Sequence, residues 1–288
     1  MTTPHLSDES STGPTRLERG LALLDTVGAG APTPLETLDD IAPDLARYAV
    51  EFAYGDLYSR PHLTLRDRQF VTIAALAALG TAEPQLRFHI AGALNVGCTR
   101  REITEVLIHT LVYAGVPAAL NAVTAARAVF DSHPGYLQES QASEATDSNS
   151  AEDSHSDIDD RYTRGLAALS AVDGHAGEAV VTSLADIAPD LGRYIIEFVF
   201  GDIYARHGID LRTRELASVA MCTALGTAAP QLRVHLHGLL NTGGTRDDAV
   251  ETITHLAAYA GFPAALNGIT ALRQVLQERE TPANSGRG

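Results

Sequence analysis

From Leu65 to Leu79 the chain reads LRDRQFVTIAALAAL, with neither glycine nor proline, and it stops at Gly80. That pattern predicts a helix closed by a glycine C-cap. Pro84 opens a second helical segment that runs through Asn95 and halts at Gly97. Thr99-Arg-Arg-Glu102 has the spacing of a capping box, in which the Thr hydroxyl and the Glu carboxylate satisfy backbone N–H groups reciprocally. It predicts a third helix ending near Gly115, and Pro117 begins a last one reaching about Phe130. The alternation of a half-buried strand is absent, so the reading is all-α.

The same pattern occurs twice. IAPDLARYAVEFAYGDLYSR starts at Ile41 and IAPDLGRYIIEFVFGDIYAR at Ile187, an offset of 146 residues. At that offset ALGTAEPQLRFH meets ALGTAAPQLRVH, YAGVPAALN meets YAGFPAALN, and Thr245 with Asp248 repeats the capping box in weaker form. Roughly half the positions from Ile41 to Asn121 are identical in the second copy, more than shared helical composition would give. Upstream, Arg19-Gly20-Leu21-Ala22 matches Arg164-Gly165-Leu166-Ala167 after a slip of one residue. The expected organisation is a disordered N-terminus (1–15), a first domain (16–131), a flexible acidic linker (132–160), a second domain (161–280) and a disordered tail (281–288). The linker, QESQASEATDSNSAEDSHSDIDD, is nearly free of apolar residues and cannot bury enough surface to offset its ordering entropy.

Composition narrows the chemistry. The 288 residues contain no lysine, so a Schiff-base amine and a Walker-type phosphate lysine are excluded. A net charge of −15 argues against a nucleic-acid backbone or an anionic membrane surface as partner. The N-terminus lacks a signal-peptide pattern and no run approaches the ~18 uninterrupted apolar residues of a membrane span, so the expected compartment is the cytoplasm. Cys98 and Cys222 occupy non-equivalent positions and form no Cys-x-x-Cys, which excludes a shared thiol mechanism and leaves them as small buried hydrophobes. No histidine pair has metal-ligand spacing, so no metal site is expected.

Both copies hold the same polar set: Arg66, Arg68, His89, Asn95, Glu105, His109 and Tyr113 in the first; Arg212, Arg214, His235, Asn241, Glu251, His255 and Tyr259 in the second. His89, flanked by apolar residues, reads either as a general acid/base or as a core histidine satisfied by the backbone or by Gln85. Glu105, His109 and Tyr113 recur at i, i+4 and i+8 and form one column on a helix face, suited to relaying a proton or to bonding between packed helices. Arg66 and Arg68 diverge by roughly 200° around a helix, so at most one faces a given pocket. One is a candidate clamp for a substrate carboxylate, and the other a salt-bridge partner.

These segments resemble the carboxymuconolactone decarboxylase family, an all-helical group that includes the peroxidase-associated AhpD-like proteins. The resemblance runs through LRDRQFVTIAALAALGTAEPQLRFHIAGALNVGCTRREITEVLIHTLVYAGVPAALNA and its second copy, and Arg60-Pro61-His62-Leu63 is similar to the family's Arg-Pro-Gly-Leu segment. AhpD-like members carry Cys-x-x-Cys ahead of the histidine; here those positions are Ala82 and Gln85, and Ala228 and Gln231, so a thiol peroxidase is not expected. The family's Arg-Glu at the helix start is Arg214-Glu215 in the second copy and Arg68-Gln69 in the first, and its usual Trp is Tyr58 or Tyr204.

The resemblance implies a cofactor-independent lyase acting on a small lactone or carboxylic acid. His89, His235, Arg68 and Arg214 would be catalytic. Arg66, Arg212, Glu105, His109, Glu251 and His255 would bind substrate or support the site. Two alternatives stand beside it: a member recruited for cofactor-free isomerisation or cyclisation of a larger metabolite, and a non-catalytic helical assembly. It further implies a homo-oligomer, three tandem chains recreating six domains. Ala91 opposite His237 and Ala93 opposite Leu239 predict that the two copies are not equivalent. The enzymatic readings require a cavity beside each imidazole.

Overall fold

A computed structural model describes residues 13–133, 158–174 and 181–281, and every element among them is helical. In the first half α1 is Arg16–Gly28, α2 Pro34–Leu38 and α3 Pro43–Tyr48; α3 continues into a wider π-type coil, Ala49–Tyr58. Then come α4 (Leu65–Leu79), α5 (Glu83–Asn95) and α6 (Arg100–Ser132). The second half repeats this with α7 (Ile158–Asp173), α8 (Pro189–Tyr194), a π-type coil (Ile195–Tyr204), α9 (Leu211–Leu225), α10 (Ala229–Asn241), α11 (Arg246–His255) and α12 (Phe262–Glu280).

The punctuation acts as its chemistry requires. Gly80 and Gly226 close α4 and α9 in the left-handed conformation, with φ of 66° and 69°. Thr99 and Thr245 both form complete capping boxes, with Glu102 and Asp248. Gly115 has φ 83°, ψ 172°, so α6 breaks where the sequence places a helix end and resumes through Pro117. By length and composition α6 could cross a membrane, with a mean hydropathy of 1.6 over its most apolar window, but it is broken there and packs on α4 and α5. The predicted linker is shorter than expected at its edges, because α6 reaches Ser132 and α7 starts at Ile158. The rest of that linker, most of the N-terminal segment and the tail beyond Thr281 lie outside the described residues.

The two halves share one core. Ile73, Ile90, Ile103 and Leu107 belong to the same buried cluster as Leu216, Met221, Leu236 and Ile253. Its axis is the packing of α4 on α9. Both helices are buried nearly all round and are rich in buried alanines, among them Ala74, Ala78, Ala217 and Ala220. This is why neither shows a strong polar stripe. Around that axis each half adds a satellite: α1 against its π-type coil in the first, α7 against its counterpart in the second. Facing glycines permit those approaches, because a Cβ at Gly20 or at Gly201 would sit 2.5 Å from the carbonyl oxygen of Val50 or Arg161.

Some apolar surface stays uncovered in the same places twice. Ile41, Leu45, Tyr48, Val116 and Leu120 are more than half exposed, and so are the residues 146 positions on, Ile187, Leu191, Tyr194, Phe262 and Leu266.

Since the Arg161 carbonyl cannot retreat without moving α7, Gly201→Ala should destabilise the protein by about 1–3 kcal/mol, read as a lower urea midpoint with an unchanged slope.

Candidate active centres at the junction of the two halves

Two polar clusters sit where the halves meet, and each takes side chains from both. In the second centre Tyr204 ends the π-type coil, Glu215 and Ser218 lie one turn apart on α9, and His235 projects from α10. His109 and Tyr113 reach in from α6 of the first half. In the first centre Tyr58, Gln69, Thr72 and His89 meet His255 and Tyr259 of the second half. The column Glu105–His109–Tyr113 therefore serves the opposite half's histidine, as does its repeat Glu251–His255–Tyr259.

Hydrogen bonding in the second centre is continuous. His235 Nδ1 lies 2.9 Å from Glu215 Oε2, and its Nε2 lies 3.0 Å from the Tyr113 hydroxyl. Tyr113 donates to Ser218 Oγ at 2.7 Å, Tyr204 donates to Glu215 Oε1 at 2.8 Å, and Ser218 Oγ lies 2.8 Å from His109 Nε2. The first centre is looser. His89 Nδ1 lies 3.0 Å from Gln69 Oε1, the Tyr58 and Tyr259 hydroxyls are 3.1 Å apart, and Thr72 Oγ1 lies 2.9 Å from His255 Nε2. The histidine partner is thus Gln69, on the neighbouring helix, and not Gln85 of its own.

The glutamates at the foot of each column neutralise buried arginines from the other half. Arg214 is fully buried and donates to Glu105 at 3.0 Å and to the Arg206 carbonyl at 2.8 Å, while Arg206 forks onto Glu105 at 2.7–3.1 Å. Arg68 and Arg60 repeat this on Glu251, with Arg68 donating at 3.2 Å. Burial lowers the pKa of Arg68 and Arg214, opposed by their glutamates. Burial would raise the Glu105 carboxyl, but Arg206 and Arg214 outweigh it and hold the group below its ordinary value.

Arg68 and Arg214, expected as candidate carboxylate clamps, are placed in ion pairs between the halves; Arg68 Nη1 also lies 3.4 Å from His255 Nδ1, and Arg214 Nε and Nη1 are buried without a hydrogen-bond partner. Arg66 and Arg212 point away, as their spacing predicts. Arg66 pairs with Glu102 at 2.6 Å at the surface, and Arg212 bridges Asp248 at 2.9 Å and Asp67 at 3.4 Å. Asn95 and Asn241 donate to the carbonyls of Val27 and Val172 and act as helix ties.

Burial governs the titrations. It pushes His89 down to about 3. It also holds His109 and His255 well below the ordinary imidazole value, with Arg214 and His235 adding to the effect on His109, and Arg68 and His89 to that on His255. Tyr113, Tyr204 and Tyr259 are raised for the same reason. Cys98 and Cys222 are buried, their thiols pushed up to about 12, in keeping with inert core residues. Among the described residues no group of three or more histidine, cysteine or carboxylate side chains could hold a metal.

Both imidazoles are closely packed. His89 is 4% exposed and His235 8%, both wrapped by tyrosine rings. A cleft of about 520 Å³ lies beside the first centre, lined by Val27, Phe88, Ala91 and Asn95, but neither imidazole faces it. In the second half the larger side chain at the position of Ala91, His237, bonds Glu278 at 3.1 Å.

The model of the carboxymuconolactone decarboxylase family matches residues 43–128 and 189–274. The chain belongs to that family. Over 96 residues, a third of this chain and 71% of the relative, it is 42% identical to 4-carboxymuconolactone decarboxylase of Acinetobacter baylyi. It is 34% identical over 73 residues to nitrosuccinic acid decarboxylase of Metarhizium robertsii, a quarter of this chain and half of that one. The crystal structure assigned to a gamma-carboxymuconolactone decarboxylase subunit of Burkholderia xenovorans aligns with a TM-score of 0.55 at 22% identity, covering 93% of this chain and 99% of that one, and so shares the fold. These likenesses support a decarboxylase-family role.

Six residues of the centres were not singled out from the sequence as site residues: Tyr58, Tyr204, Gln69, Glu215, Thr72 and Ser218. Tyr58, Tyr204 and Gln69 stand where the resemblance showed departures from the family's Trp and Arg-Glu, Glu215 where it showed agreement, and Thr72 and Ser218 carry no such signal.

Removing the charge of Glu105 leaves a buried guanidinium with carbonyl partners alone, so Glu105→Gln should cost about 3 kcal/mol or more in urea unfolding. His89, His109 and His255 exclude a proton that the unfolded chain binds near its ordinary value of 6.5, so their contribution is intact above that pH and is lost progressively as pH falls below it. The urea midpoint should therefore be lower at pH 5 than at pH 7.5.

Proposed function

We propose that the protein is a cofactor-independent carboxy-lyase for a small acid whose carboxylate is conjugated to a lactone or similar carbonyl. The observation that carries this reading is the buried Glu215–His235–Tyr113 array, in which a carboxylate and a phenol hold opposite nitrogens of one imidazole at 2.9 and 3.0 Å. Loss of carbon dioxide breaks one C–C bond and leaves its electron pair delocalised onto the carbonyl as a dienolate, so the substrate supplies its own electron sink. What the protein must add is a hydrogen-bond donor to the developing oxyanion and a proton for carbon. Tyr113 and Tyr204, whose protons lie on Ser218 and Glu215 in the closed centre, would serve the first task once substrate displaces those acceptors, and His235, 2.9 Å from Glu215, the second. Water re-protonates the pair after release, and the net reaction consumes one proton per carbon dioxide.

About a tenth of the His235 side chain remains exposed, and in this reading substrate enters at that edge after the covering side chains move aside.

The close packing of both imidazoles favours the alternative of a helical assembly without turnover. Exposure of chelator-treated protein to 4-carboxymuconolactone and a panel of small unsaturated lactone acids separates the two. The expected result is carbon dioxide release that falls at least ~100-fold in His235→Asn with the fold retained. No release from any acid in the panel would favour the assembly.

A further inference from the structure

The two centres are built on one geometry and differ in charge at the histidine's partner. Gln69 Oε1 stands 3.0 Å from His89 Nδ1, and Glu215 Oε2 stands 2.9 Å from His235 Nδ1. Both side chains are fully buried on equivalent turns of α4 and α9. Gln and Glu are nearly isosteric, so this contact keeps its shape while its proton content changes.

Glu215 receives hydrogen bonds from the Tyr204 hydroxyl and His235, and the arginine beside it in sequence, Arg214, is turned onto Glu105. A buried carboxylate must be neutralised. Among its hydrogen-bond partners only His235 can do so, either as imidazolium against carboxylate or by leaving the acid protonated against neutral imidazole. Either way one proton is held between the two groups. Gln69 holds no such proton. Its amide nitrogen donates to the Tyr58 hydroxyl at 3.3 Å, which turns its oxygen to His89 and fixes the imidazole as the neutral Nδ1–H form.

The remaining groups around the rings point the same way. His235 faces Tyr204 from the π-type coil, Tyr113 and His109 from α6, and feels Asp173 at the end of α7. His89 faces Tyr58, Tyr259 and His255, with Arg68 behind His255, and the residue matching Asp173 is Gly28. Each centre has an arginine behind its column histidine, Arg214 behind His109 and Arg68 behind His255, each paired to a glutamate, so the charge difference lies in Glu215 and Asp173 at the second centre against Gln69 and Gly28 at the first.

We infer that the tandem chain contains one proton-transfer centre, at Glu215–His235, and one centre, at Gln69–His89, that offers hydrogen bonds alone. Its catalytic part deepens the decarboxylation reading and rests on it; the difference in proton content does not.

The experiment compares wild type with Glu215→Gln, Gln69→Glu and the double exchange. Carbon dioxide release should drop at least ~100-fold in Glu215→Gln, and adding Gln69→Glu to it should recover at least ~10-fold, because the carboxylate then stands beside His89. Independently of any substrate, ring-nitrogen NMR with His89 assigned by His89→Asn should show His89 neutral down to about pH 3 in wild type, and Gln69→Glu should raise its protonation by about 2 units or more. More than half of wild-type turnover in Glu215→Gln, or a His89 titration unmoved by Gln69→Glu, would overturn the inference. If no variant turns over any acid, the decarboxylation reading fails and the NMR result alone decides. Glu215→Gln reproduces a contact the protein already contains, so loss of folding is not its expected outcome.

Discussion

The structure depends on the ion pairs that cross between the halves at the foot of each column. Arg68 and Arg214 are fully buried, and a guanidinium in that position is tolerable only beside a carboxylate and carbonyl oxygens. Glu105 and Glu251 supply the carboxylate from the opposite half and are themselves held by Arg206 and Arg60. With the glutamate fixed, the helix that carries it is fixed in register, and the residues four and eight positions further on must lie against the partner's helix. Those residues are the histidine and tyrosine of the centre. The same contacts therefore join the halves and assemble the chemistry.

The shared core follows from the same constraint. α4 and α9 pack face to face through alanines and β-branched residues, and the arginine at the start of each points across the contact. Polar groups carried into such a core must find partners. The tyrosine hydroxyls, Ser218, Thr72 and the imidazoles satisfy one another, which accounts for their close packing. It also explains why the histidines are held neutral or proton-linked and do not stand in open clefts.

Much of the fold was legible in the sequence because its punctuation is local. Gly80, Gly97, Gly115, Pro84, Pro117 and the Thr99–Glu102 box each act within a few residues, and each marks a boundary in the structure. The repeat and the family were legible from the 146-residue offset and the recurring motifs. The centres were legible only in part. The i, i+4, i+8 column was evident, but not that it serves the other half's histidine, since periodicity specifies a face and not what packs against it. Arg68 and Arg214 read as clamps because sequence shows a fork of donors and hides the carboxylate that occupies it. The π-type coil, whose last residue aims Tyr58 or Tyr204, has no sequence signature distinct from an ordinary helix.

Fusing two non-identical units into one polypeptide has a stoichiometric consequence. Were the halves separate gene products, a glutamate version and a glutamine version would pair at random, giving mixtures with zero, one or two acid-bearing clusters. A covalent tandem allows a single outcome: every molecule receives one of each, in a set orientation, whatever the expression level. Because each half donates its histidine–tyrosine column to the other, the half that carries glutamine remains indispensable to its neighbour.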